Sequence, residues 1–198
     1  MTILSVNKTR ELDGRFAPVL FLWARTAPIF LFQVNRMKKT SRYLVQAAMI
    51  AAMYAALTHL QNILVPDSAT WAIQFRVSEA LCVLALFTPA AVPGLAVGCF
   101  VFNLTYLGAL PLDILLGTLA SLLAAQTMWW LRKQPWVAFA MPALCNALLV
   151  GWELTLYFGG GFWLNALYVA IGETVVVYTL GSLVYAAVKK QAHRIFPE

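Results

Sequence analysis

The sequence has 198 residues, of which 62% are hydrophobic and 11% are charged. A soluble domain carries about 25% charged residues, and a chain with this much apolar surface needs lipid around it. The composition therefore excludes a soluble globular protein and indicates a polytopic membrane protein with one membrane domain. The formal net charge of +6 is a guide to membrane orientation more than to nucleic-acid binding, because the basic residues form short clusters between apolar runs.

The first 36 residues do not follow the pattern of the rest of the chain. Their apolar stretch, residues 16–34, is interrupted by Pro18, Arg25 and Pro28, so it contains no clean span of about 20 residues. It also lacks the uninterrupted core and the small-residue cleavage site of a signal peptide. We expect residues 1–36 to be an N-terminal extension, either loosely attached or derived from an upstream start, and residues 37–198 to be the membrane domain.

Six apolar spans follow, separated by turn-forming residues. They cover about residues 41–61, 73–87, 92–107, 112–131, 137–158 and 163–187. The second and third spans are short, so we expect one of them to be tilted or not to cross fully. The predicted fold class is an all-α polytopic membrane protein with six transmembrane helices in one bundle.

Basic residues fix the predicted orientation of this bundle in the cell membrane. They precede the first span, lie between the fourth and fifth spans and follow the sixth span, as Lys38, Lys39, Arg42, Arg132, Lys133, Lys189, Lys190 and Arg194. The loops after the first, third and fifth spans contain no Lys or Arg. The excess of positive charge on one side predicts that both termini are cytoplasmic.

The second span contains a cation and an anion three residues apart, Arg76 and Glu79. Helical spacing places both on one face, near enough to pair or to share a ligand. A charged side chain in the bilayer costs at least ~2.5–3.5 kcal/mol by insertion scales, so both should face the interior of the bundle. Two interpretations remain open: a salt bridge that only fixes helix packing, and a polar wall of a substrate pocket.

Other polar residues lie at the same predicted depth, in the outer half of the membrane, if each helical residue rises by ~1.5 Å. This shared depth predicts a water-accessible binding site that opens to the outside. Two of its tryptophans are placed to stack on a flat heterocycle, although an interfacial aromatic belt would also explain them. The predicted substrate-binding residues are Trp71, Gln74, Arg76, Glu79, Asn103, Asp113, Trp152, Glu153, Asn165 and Glu173.

Small residues form a stripe along the first span. Ala47, Ala48, Ala51, Ala52 and Ala55 recur at intervals of about four residues, which lets another helix approach closely. The stripe serves either packing inside the bundle or docking of another membrane protein.

Several catalytic and cofactor motifs are absent from the sequence. It has no G-x-x-x-x-G-K-[ST] motif to hold ATP phosphates, and no H-E-x-x-H or G-x-S-x-G motif. Cys82, Cys99 and Cys145 are scattered singly, without the spacing of a metal site. We therefore predict a protein that is not an enzyme and that has neither a metal nor a cofactor.

Four stretches of the sequence carry a family resemblance: residues 73–80 (IQFRVSEA), 93–98 (PGLAVG), 112–120 (LDILLGTLA) and 171–173 (IGE). They resemble the QueT family, the substrate-binding (S) components of energy-coupling factor (ECF) transporters. The resemblance covers about residues 37–190 and leaves the N-terminal extension outside the family pattern. It implies a six-helix S-component fold, an outward-facing site for a queuosine precursor, and docking through the alanine stripe. The implied partners are a transmembrane coupling protein and two cytoplasmic ATPase subunits.

The chemistry of the polar residues suits a 7-deazaguanine, the core of a queuosine precursor. Such a ring presents two adjacent N–H donors, which one carboxylate accepts together. Asp113, Glu153 and Glu173 supply more negative charge than Arg76 neutralises, which favours a ligand rich in donors or positive charge.

Two other functions remain open at this point. One is a self-contained, ion-coupled secondary transporter for a small polar or cationic solute, with Glu79 or Glu173 as its proton site. The lack of a visible internal repeat argues against it, because such carriers are commonly built from repeated halves. The other is a membrane enzyme or assembly factor. Co-purification with ATPase subunits would separate the ECF hypothesis from both.

Overall fold

The computed structural model describes residues 39–66, 68, 75–192 and 196. Internal contacts divide the chain into two units, Met1–Arg42 and Tyr43–Glu198. Of the first unit, the structure describes only Lys39–Arg42, which form the opening turn of a helix. The extension predicted at residues 1–36 therefore lies outside the described residues. The second unit is the helical bundle that contains the candidate site.

The described residues form helices joined by short turns and include no strand, which confirms the all-α class. The helices follow the predicted spans in order, with the fifth and sixth spans each built from more than one element. In chain order the elements are α1 (Lys39–Leu64), a 3₁₀ helix (Val77–Leu86), α2 (Ala91–Thr105), α3 (Asp113–Trp130), α4 (Pro135–Ala138), α5 (Ala140–Phe158), α6 (Phe162–Val176), a π-helical segment (Val177–Gly181) and α7 (Ser182–Lys189).

Among the described helices, three runs are long and apolar enough to cross a membrane: Lys39–Leu64, Pro135–Phe158 and Phe162–Lys189. The 3₁₀ helix and α2 are apolar but shorter, with 10 and 15 residues. Helix α3 has 18 residues and begins with an aspartate. The helices therefore support a membrane protein, and the count of six complete crossings stays a prediction.

Among the helices that the structure describes, the 3₁₀ helix is the most deeply buried. Nine of its ten residues are buried, and it contacts α2, α3, α6 and α7. The helical spacing expected from Arg76 to Glu79 is not observed, because Arg76 has extended backbone and the helix begins at Val77. A 3₁₀ helix rises about 2.0 Å per residue, so ten residues span roughly 20 Å, further than the same residues would reach as an α-helix. The tighter coil lets a short segment extend further through the bundle.

The alanine stripe of α1 is divided between an inner and an outer face. A Cβ atom on Gly94 would lie 2.8 Å from the carbonyl oxygen of Ala47, and one on Gly98 would lie 2.8 Å from that of Ala51. Those two alanines therefore pack inside the bundle, where glycines allow α1 and α2 to touch. The remaining three predicted docking residues behave differently: Ala48 and Ala52 are exposed, and Ala55 is partly buried.

Gln61, near the end of α1, holds the entry to the 3₁₀ helix. Its Oε1 accepts a hydrogen bond from the Val77 backbone N–H at 2.7 Å. Its Nε2 donates to Ser68 Oγ at 2.9 Å and to the Phe75 carbonyl oxygen. Because these contacts fix the backbone on both sides of Arg76, they set the position from which its guanidinium enters the bundle.

The charge pattern and the helix order together generate a test of orientation. In a Cys145→Ser background, Gly161→Cys should react with an impermeant maleimide in intact cells, and Gln134→Cys only after permeabilisation. Both positions are exposed, on opposite ends of the Pro135–Phe158 run, whereas Cys82 and Cys99 are buried. Reaction of Gln134→Cys in intact cells would contradict the predicted orientation.

Candidate functional site

Five charged side chains from four parts of the bundle form what we call the acid cluster: Arg76, Glu79, Asp113, Glu153 and Glu173. None of them is more than 2% exposed. Arg76 interacts electrostatically with Asp113 and Glu79, Glu153 with Asp113 and Arg76, and Glu173 with Glu79 and Arg76. The cluster therefore joins the 3₁₀ helix to α3, α5 and α6 through charge.

Arg76 is the cation of this cluster. Its Nη2 lies 3.9 Å from Asp113 Oδ1, and its Nη1 lies 3.8 Å from Cys99 Sγ. Gly117 leaves room for the Asn103 amide, because a Cβ atom there would lie 2.9 Å from Asn103 Nδ2 and in ordinary contact with Nη1 at 3.7 Å. The sequence pattern placed Arg76 and Glu79 near enough to pair or to share a ligand, whereas the ion pair in the structure joins Arg76 to Asp113.

Asp113 opens α3 and is fixed on both its backbone and its side chain. Asn103 Nδ2 donates to the Asp113 carbonyl oxygen at 2.7 Å, and Asp113 Oδ2 accepts from the Leu110 N–H at 3.0 Å. A carboxylate is favourable at a helix N-terminus, where free N–H groups carry partial positive charge. The end of α2 and the start of α3 thus hold the arginine and its partner at a defined place.

Glu79 is held by donors from two helices. Its Oε1 accepts a hydrogen bond from the Tyr54 hydroxyl of α1, and its Oε2 accepts from Cys82 Sγ at 2.9 Å. One turn further along α1, Thr58 Oγ1 donates to Ser78 Oγ at 2.7 Å. The sequence analysis missed Tyr54, Thr58 and Cys82 as neighbours of the cluster. Tyr54 and Thr58 are four residues apart on one helical face, a pattern that could have identified them.

Glu153 and Glu173 have acceptor capacity left over. Within the described part of the chain, neither carboxylate oxygen of Glu153 has a hydrogen-bond partner. The Oε2 of Glu173 has none there either. The Glu153 carboxyl lies close enough to the Asp113 carboxyl for the two to interact electrostatically. An unpaired carboxylate buried away from water is strongly unfavourable. The two acids are therefore suited to a ligand that brings N–H donors or a positive charge.

Two further buried polar groups without hydrogen-bond partners in the described chain lie on α3 and α5, the helices that carry Asp113 and Glu153. Ser121 lies two turns after Asp113 on α3, and Asn146 lies two turns before Glu153 on α5. Ser121 Oγ and Asn146 Nδ2 are buried and find no partner among the described side chains and backbone. The sequence analysis missed both, although seven- and eight-residue spacing places them on the faces that carry the acids.

The remaining predicted site residues are not part of the acid cluster. Trp152 is 49% exposed on the outside of α5. Asn165 Nδ2 donates to Thr155 Oγ1 and to the Gly159 carbonyl oxygen, each at 3.0 Å, and so holds the turn between α5 and α6. Trp71 and Gln74 lie outside the described residues.

A metal centre has no support in the described part of the chain, where no group of His, Cys, Asp and Glu is arranged to hold a metal ion. What the bundle contains is a buried set of fixed charges with unfilled hydrogen-bonding capacity. This combination is typical of the substrate site of a membrane transport protein, in which ionisable groups face the bundle interior.

The comparison with protein families agrees with this class. A family model described as QueT transporter matches residues 44–190, which is well over half of the chain. The protein belongs to the QueT transporter family. It is accordingly a substrate-binding component of a membrane transporter. Searches of curated proteins and of solved structures gave no significant match.

The surroundings of Arg76 generate a stability prediction. Arg76→Gln removes the cation that faces four buried acids, so it should lower the free energy of unfolding by about 3–5 kcal/mol. The control is Arg132→Gln, because Arg132 is exposed and stacks on Trp129 with 4.1 Å between guanidinium carbon and ring centroid. That change should cost no more than about 1 kcal/mol. Chemical unfolding in detergent measures both, and equal losses would show that Arg76 has no special role in stability.

Proposed function

We propose that this protein is the S component of an ECF-type ATP-driven importer and that it binds a queuosine precursor, a 7-deazaguanine, from outside the cell. The observation that carries the proposal is the pair of buried acids, Glu153 and Glu173, with unfilled acceptor positions next to Arg76. Membership of the QueT family and the four sequence stretches that resemble its S components support the same conclusion.

The donor and acceptor pattern of the acid cluster matches the edges of this ligand. One carboxylate accepts the two adjacent N–H groups of the pyrimidine edge in a charge-assisted pair. Asn146 Nδ2 and Ser121 Oγ, both buried and without a partner in the described chain, are donors suited to the ring carbonyl. In precursors with an aminomethyl arm, the ammonium group gives the second carboxylate a counter-charge. The ligand thereby satisfies groups that the protein leaves open.

Coupling to ATP hydrolysis requires a surface for the transmembrane coupling protein. The exposed half of the alanine stripe, Ala48 and Ala52, offers a smooth helical face toward the bilayer. Both termini and the turn between α3 and α5 are proposed to face the cytoplasm, where the two ATPase subunits are located. The protein would then bind its ligand from outside the cell and be coupled to the ATPase subunits on the cytoplasmic side.

The first prediction of this proposal concerns affinity. Glu153→Gln and Glu173→Gln preserve shape but replace one acceptor oxygen by a donor. Whichever carboxylate meets the paired N–H edge should lose about 2–5 kcal/mol, or roughly 30-fold to several thousand-fold in Kd. Calorimetry on purified protein with 7-aminomethyl-7-deazaguanine measures the loss.

A second ligand sharpens this experiment. The 7-cyano analogue has the same ring edge but no cation, so the variant at the carboxylate that holds the ammonium should lose affinity for the aminomethyl compound alone. The variant at the ring edge should lose affinity for both. Unchanged affinity of both variants for both ligands would remove the acids from the site and contradict the proposal.

The second prediction concerns docking. Ala52→Trp places a large ring on the exposed face of α1, so it should abolish ATP-driven uptake while ligand affinity stays unchanged. Leu167→Trp, on the exposed face of α6, is the matched control and should transport normally. Ala51→Trp should disrupt the bundle itself, because Ala51 packs against Gly98. Normal uptake by Ala52→Trp would show that this face is not the docking surface.

A further inference from the structure

Helix α1 contributes no carboxylate and no basic side chain to the acid cluster, yet it is bonded to it. Within Tyr43–Leu64 the sequence contains no Asp, Glu, Lys or Arg. The connection is the hydroxyl of Tyr54, which donates to Glu79 Oε1. Tyr54 is fully buried. The Tyr54 side chain of α1 is therefore coupled directly to the orientation of the Glu79 carboxylate.

The backbone around Tyr54 is fixed tightly against α2. A Cβ atom on Gly98 would lie 2.7 Å from Tyr54 Cβ, so no space separates the two helices at this level. Because Tyr54 Cβ is held against α2 and the ring is fully buried, the hydroxyl has little freedom of its own to follow a moving carboxylate. When Glu79 turns, either the hydrogen bond breaks or α1 moves with it.

Glu79 has reason to turn when the site fills. Its two oxygens are occupied separately, one by Tyr54 and the other by Cys82 Sγ at 2.9 Å. It also interacts with Arg76 and Glu173, the groups whose charge balance changes most when a donor-rich or cationic ligand enters. A new charge beside Glu173 changes the field at Glu79 and hence the strength of its bond to Tyr54.

The opposite side of α1 carries the exposed small residues. Ala48 and Ala52 are exposed, whereas Ile50, Tyr54 and Thr58 are buried on the other face of the same helix. Because an α-helix moves as a rigid rod, a shift at Tyr54 displaces the Ala48–Ala52 face by a similar distance. The Tyr54 hydroxyl thus connects the Glu79 carboxylate directly to the outward face of α1.

We propose that Tyr54 is a positioning residue that transmits ligand binding from Glu79 to α1, so that the outward face of α1 moves when the site is filled. This inference rests on the proposed function, since it takes the acid cluster as the ligand site. Tyr54 itself does not contact the ligand. Tyr54→Phe should therefore separate ligand binding from helix movement, which no variant of the acids can do.

The experiment is a pair of spin labels in the full-length protein in nanodiscs. Labels at Met49→Cys on α1 and Leu115→Cys on α3 lie on exposed positions, and Cys145→Ser removes the partly exposed native thiol. Addition of 7-aminomethyl-7-deazaguanine should shift the distance between the labels by about 1–2 Å, as for helix movements in other switches. In Tyr54→Phe the shift should be lost, while Kd stays within about threefold of the unsubstituted protein.

Thr58→Val is the matched control. It removes the hydrogen bonds of Thr58 Oγ1 to Ser78 Oγ and to the Tyr54 carbonyl oxygen but keeps the hydrogen bond from the Tyr54 hydroxyl to Glu79, so the shift should be retained. A merely structural role of Tyr54 predicts that both variants lower the melting temperature and that both keep the ligand-dependent shift.

Each alternative outcome is distinguishable. Binding without movement in the unsubstituted protein, or a normal shift in Tyr54→Phe, overturns the inference and leaves the proposed function standing. A loss of affinity in Tyr54→Phe that matches the loss in Glu153→Gln places Tyr54 in the ligand site and also overturns it. If the unsubstituted protein binds neither 7-deazaguanine, the proposed function fails and the inference fails with it.

Discussion

The structure depends on burying one guanidinium among four carboxylates inside an apolar bundle. Each of these charges would be strongly unfavourable in hydrocarbon on its own, so the helices must place them close to one another and to fixed hydrogen-bond donors. Asp113 faces Arg76, and Glu79 accepts from Tyr54 and Cys82. Glu153 and Glu173 keep carboxylate oxygens without a hydrogen-bond donor in the described chain. A ligand that supplies donors would satisfy them, so the buried charges also create a candidate binding site.

The unusual backbone of the bundle follows from the need to bring these charged side chains together. The segment that carries Glu79 is short, and its 3₁₀ coil extends it further than an α-helix would while keeping nine of ten residues buried. Glycines then bring neighbours close at defined levels. Gly98 brings α2 against α1 beside Tyr54, Gly117 leaves space for the Asn103 amide, and Gly151 lies against Ala166 of α6. The close approach of the helix backbones at glycine thus also sets where the charged side chains lie.

The sequence predicted the class, the order of the helices and the identity of the five cluster charges, because charges in apolar spans are rare and costly. It did not predict the partner of Arg76. Spacing of i and i+3 points to Glu79, but Asp113 is distant in sequence and reaches Arg76 through the packing of the 3₁₀ helix and α2 against α3. Trp152 and Asn165 looked like site residues because of their depth, and helical phase directs the first outward and the second into a turn. Periodicity along one helix is readable from sequence, whereas contact between helices is not.

The central claim is that the acid cluster holds a 7-deazaguanine. Its most direct test is native mass spectrometry of the purified protein, with the bound small molecule released and identified by its fragmentation. The account predicts one 7-deazaguanine per chain in the unsubstituted protein and none in the double variant Glu153→Gln, Glu173→Gln. A bound solute of another chemical class, or equal amounts of the 7-deazaguanine in both proteins, would contradict it.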